Sequence, residues 1–139
     1  DANHMGAAMA PAVESTIRAH LSDTGRTAGD FDLIVTGDLG WIGREILLEL
    51  FSRSGKPIPP EKLVDCGASL YYKEQDPHAG GSGCGCVASV SCGWIMKRME
   101  EGEFRRVLLT GSGAMMSPTS SLQAESIPSI AYAASLEVI

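Results

Sequence analysis

Phe31-Asp32-Leu33-Ile34-Val35-Thr36-Gly37-Asp38-Leu39-Gly40 is the stretch that decides the fold class. Its apolar start, 31–36, has no period-2 alternation, because Leu33, Ile34 and Val35 follow one another directly. A strand with one wet face alternates apolar and polar residues; a strand covered on both faces has no such need. Gly37 to Gly40 then reads as a turn. A helix is expected over 42–52, with Ile46, Leu47, Leu50 and Phe51 on its inner face. A buried strand, a turn and an amphipathic helix in succession form the repeating unit of a layered α/β protein.

The flanking sequence extends the same pattern. Pro11 to Leu21 reads as a helix, with Pro11 in its first turn, where the missing N–H costs nothing. Ala10, Val13, Ile17 and Leu21 fall at helical spacing, and Gly25 marks the end. Ser54 to Pro60 is a Pro-Gly loop. Short strands are expected at Leu63 to Cys66 and at Ala68 to Tyr72, and Glu74 to Gly83 is a loop. Cys84 to Met96 carries no charged residue, which suits a helix buried nearly all round. Lys97 and Arg98 then lie near its C-terminal end, where the helix dipole favours positive charge, and Gly102 closes it. Val107 to Thr110 is a further buried strand, Gly111-Ser112-Gly113 a turn, and Ser129 to Val138 a last strand. The order is α, β, α, β, α, β, β. There is no internal repeat and no dividing linker, so residues 1–139 are expected to form one unit.

The chain has 139 residues and a net charge of −6. An acidic balance disfavours nucleic acid as a partner, because phosphate binding needs a basic face. No apolar run reaches the roughly 18–20 residues needed to span a bilayer. The chain opens on Asp1 and not on Met, and is expected to be a fragment of a larger protein. Its four cysteines are Cys66, Cys84, Cys86 and Cys92. Cys84-Gly-Cys86 is too tight for a metal knuckle or a redox pair, so reduced, mostly buried thiols are expected, with no metal and no cofactor.

The segment richest in chemistry is Gln75-Asp76-Pro77-His78-Ala79-Gly80-Gly81-Ser82-Gly83-Cys84-Gly85-Cys86. Four of the six residues Gly80 to Gly85 are glycine, and they precede the uncharged helix. Backbone N–H groups at such a start can hold an anion or a developing oxyanion, and His78 can donate a proton or a hydrogen bond. Close packing of helix on sheet accounts for the same glycines equally well. Asp38 likewise has two readings: it hydrogen-bonds its own turn, or it faces a cleft.

The run His78 to Gly83 is similar to the His-x-x-Gly-small loop of thiolases and β-ketoacyl synthases. Leu108 to Ala114 resembles their last Gly-rich turn, beside the active site, and Phe31 to Asp38 resembles the strand that ends in another active-site motif. Thr36 to Gly40, Asp65-Cys66-Gly67, His78 to Cys86 and Gln123 to Pro128 look like the sporulation branch of that superfamily. The resemblance implies an α/β fold: the C-terminal lobe of a thiolase-like protein, with layered helices around a central mixed sheet. It implies binding of dipicolinic acid and its uptake into the developing spore. Other dipicolinate transport proteins, a missing N-terminal lobe and, in the complete protein, a second copy are the implied partners. The implied location is the cytoplasmic face of the forespore inner membrane, as a peripheral protein. The ligand-binding residues would be Asp38, His78, Gly80, Gly81, Ser82, Gly83, Gly111 and Gly113. The alternatives are an acyltransferase of the thiolase or ketoacyl synthase class and a structural half that serves dimerisation. Two departures weigh against catalysis. Gly37 and Asp38 stand where decarboxylating synthases place a His, and none of the four cysteines matches the position of the family's nucleophile, so no catalytic residue is assigned.

Overall fold

The computed structural model describes residues 4–70, 85–115, 117–123 and 126–139. The first helix, α1, spans Met5–Thr24 and buries Met9, Ala10, Val13 and Ile17. It starts six residues before Pro11, which therefore lies inside the helix and not in its first turn. Pro11 is on the exposed side, so the disruption is kept away from the packed stripe. Gly25 ends α1 with a left-handed φ of 65°, and the Arg26 N–H closes on the Leu21 carbonyl at 2.9 Å. A residue with a Cβ would strain that position.

Strand β1, Leu33–Thr36, is buried at every residue, as its lack of alternation requires. Ile34 joins the cluster formed with Val13 and Ile17 of α1, and Leu33 and Val35 join the one formed with Ile95 and Met99. One strand thus supplies both layers of core. Helix α2, Gly40–Arg53, packs on α1 through Gly43. A Cβ at Gly43 would come within 2.8 Å of the Gly6 carbonyl oxygen, so the two backbones approach as closely as glycine allows.

Strands β2 (Leu63–Asp65), β3 (Arg106–Ala114) and β4 (Ser129–Glu137) complete a sheet of order β2-β1-β3-β4. β1 is parallel to both neighbours, with Ile34 opposite Leu63 on one side and Leu108 on the other; β3 and β4 are antiparallel, with Leu109 opposite Ala134. The sheet is therefore mixed, with helices around it, as the sequence led us to expect. Arg44 of α2 donates to the Leu63 carbonyl at 3.1 Å and to the Pro60 carbonyl at 2.7 Å, which occupies polar backbone at the β2 edge.

Three local expectations are corrected. Gly111-Ser112-Gly113 is not a turn but the continuation of β3, with Gly111 opposite Tyr132 and Gly113 opposite Ile130. Glycine accepts an extended backbone as readily as a bent one, and β4 supplies the pairing. Residues 66–69 are not strand but a short helix, α3 (Cys66–Ser69), started by the Asp65 side chain accepting from the Ala68 N–H; Tyr71 and Tyr72 lie outside the described residues. Of the uncharged segment, Cys84 lies outside the described residues; the part from 86 to 96 is helical but covered on one side only. It runs as α4 (Cys86–Val90), a π-helical turn (Ser91–Ile95) and α5 (Met96–Glu100). Cys86, Ser91, Ile95 and Met99 are buried, whereas Ala88, Ser89, Cys92, Gly93 and Met96 are exposed. The absence of charge tells what that face tolerates, not that this chain covers it. Gly102, at φ 80°, ends the helix. The short α6, Pro118–Leu122, lies between β3 and β4.

Candidate functional site at the strand ends

β1 has β2 on one side and β3 on the other, and all three run parallel. The connection after β1 leads to one neighbour and the later connection to the opposite one. A crevice opens outside the carboxyl ends of strands at such a switch point, and ligands of open α/β sheets bind there. In this chain the residues at those ends are Gly37 and Asp38 after β1, Cys66 and Gly67 after β2, and the Thr110–Gly113 part of β3.

Asp65 organises one wall. The residue is 1% exposed. Oδ1 accepts from the Thr36 hydroxyl at 2.6 Å and the Leu39 N–H at 2.9 Å; Oδ2 accepts from the N–H groups of Gly40 and Ala68, both at 2.9 Å. One side chain therefore fixes the end of β1, the first turn of α2 and the start of α3. Burial pushes the Asp65 carboxyl above its ordinary range, and the hydrogen bonds from Thr36, Ala68, Leu39 and Gly40 oppose that rise. Gly40 enters α2 at φ 68°, a conformation that glycine adopts without strain.

The Gly37 carbonyl is a second junction. It accepts from the Gly67 N–H at 2.9 Å and from the Cys86 thiol at 3.1 Å, so the ends of β1, α3 and α4 meet at one oxygen. Asp38 is half-buried above Gly67. Cys66, fully buried, has its thiol pushed up to about 12, by burial first and then by Cys86, Asp65 and Asp38 nearby. A thiol in that setting stays protonated and is a poor nucleophile.

On the β3 side, a Cβ placed on Gly37 would lie 3.8 Å from the Ser112 nitrogen, 3.8 Å from the Thr110 oxygen and 3.9 Å from the Ser112 hydroxyl. Gly37 and Ser112 are therefore close neighbours at the strand ends, with room between them for no more than a methyl group. The Ser112 hydroxyl is shielded from solvent and has no hydrogen-bond partner among the described residues. Gly111 and Gly113 look onto open space, since a Cβ on either would meet nothing within 4 Å.

Of the residues expected at a site, Asp38, Gly111 and Gly113 fall at these strand ends. His78, Gly80, Gly81, Ser82 and Gly83 lie outside the described residues. Sequence reasoning missed Asp65 and Ser112. Asp65 carries a recognisable signal, an acidic residue directly after a strand and able to cap the next helix. Ser112 carries none, because its role depends on which strand end it meets. Among the described residues no group of three His, Cys, Asp or Glu side chains could hold a metal ion, and no helix is long and apolar enough to cross a membrane.

Residues 1–137 match the family model described as Stage V sporulation protein AD (SpoVAD). A curated relative, the stage V sporulation protein AD of Bacillus subtilis (strain 168), is 45% identical over 128 residues, which is 92% of this chain and 38% of the relative. The chain thus spans little more than a third of the length of the relative it matches.

Proposed function

Because this chain belongs to the stage V sporulation protein AD family, we propose that it forms the second lobe of a thiolase-like protein that binds dipicolinic acid for uptake into the developing spore. The observation that carries this reading is the family match over residues 1–137, joined by the switch point between β1 and β3, where ligands of open α/β sheets bind. Dipicolinic acid is a small aromatic dicarboxylate. It needs hydrogen-bond donors for its carboxylates and close-fitting walls for its ring. Backbone N–H groups from the glycine-rich run Gly80 to Gly83, the His78 ring and the small residues at the ends of β1 and β3 match those needs in kind. The protein would act with its first lobe, with other dipicolinate transport proteins, as a homodimer, and on the cytoplasmic face of the forespore inner membrane.

Acyl transfer is the weaker reading. It needs an activated thiolate; Cys66 is buried and held protonated, and the Cys86 thiol is buried and donates to the Gly37 carbonyl. Titration calorimetry of the full-length protein with dipicolinate, beside a thiol-release assay with acetyl-CoA, tests the proposal. Heat of binding without turnover is expected. Steady CoA release that depends on His78 would replace binding with catalysis.

A further inference from the structure

We draw no further inference here: the strongest candidate, the uncharged open side of the helix running from α4 to α5 (Ala88, Ser89, Cys92, Gly93 and Met96), carries nothing because nothing in the structure shows what covers it.

Discussion

Gly67 lies directly beneath the Asp38 carboxylate: a Cβ on Gly67 would overlap Asp38 Oδ1 and come within 2.8 Å of its Cγ. Gly67 is inside a helix, where alanine is ordinarily the better residue. The glycine is therefore explained by its neighbour and not by its own backbone. Gly67→Ala should destabilise the protein by about 1–3 kcal/mol, the range for overpacking. In an Asp38→Ala background most of that loss should vanish. A double-mutant cycle by denaturant unfolding measures the coupling, and additive effects would mean that the two residues do not compete for the same space.

The buried thiol of Cys66 makes a prediction on the alkaline side. Its ordinary value of 9.0 is raised to about 12 in the fold. Between those values the unfolded chain has released a proton that the folded chain keeps. Stability is then unaffected below about pH 9 and falls as pH rises toward 12. Unfolding of Cys66→Ala should show a flatter alkaline limb than wild type. In a complementary experiment at pH 8, iodoacetamide should label exposed Cys92 rapidly and leave Cys66 and Cys86 unlabelled until the protein unfolds. Peptide mapping by mass spectrometry reads this directly, and early labelling of Cys66 would contradict its burial.

His78→Ala should weaken dipicolinate binding by about 1–3 kcal/mol with little change in the unfolding midpoint. Calorimetry beside a melting curve decides. A sharp drop in melting with affinity per folded molecule retained would assign His78 to packing.

Much of the fold can be read along the chain because burial leaves a local trace. Leu33 to Val35 declare a strand covered on both sides, and Leu47 and Phe51 declare the inner stripe of α2. Where burial depends on distant segments, the trace is absent. Pro11 reads as a first turn, so the turns before it go unread although Ala7, Ala8, Met9 and Ala10 favour helix. Nothing in Gly111 to Gly113 announces β4 as a partner. The uncharged run from Cys84 to Met96 reads as surrounded, yet Ala88, Ser89, Cys92, Gly93 and Met96 are exposed. At the candidate site, Asp38, Gly111 and Gly113 stand out through their motifs, whereas the closeness of Ser112 to Gly37 follows only from the pairing of β3 with β1.

That open surface leads to a prediction for residues 1–139 expressed alone. Ala88, Ser89, Cys92, Gly93 and Met96 form an uncharged exposed side on the helix, and Ile130 and Tyr132 are 53% and 72% exposed on β4. An apolar patch of that kind promotes association. Light scattering should find oligomers or aggregate. A monodisperse monomer that unfolds cooperatively with more than about 5 kcal/mol of stability would show that this face needs no cover.

The π-helical turn at Ser91–Ile95 has a genetic counterpart. A π turn accommodates one residue more than an α turn, so the helix carries what amounts to an insertion of a single codon. The buried residues step by five from Cys86 to Ser91 and then by four to Ile95 and to Met99, so the wide turn absorbs the extra residue within itself. Removing one residue from 91–95 would shorten a five-residue step to four, restore an unbroken α-helix and leave Met99 on its buried side. An in-frame loss of three nucleotides there would pass unnoticed by the rest of the helix, whereas the same loss in an ordinary α turn would swing every later residue by about 100°.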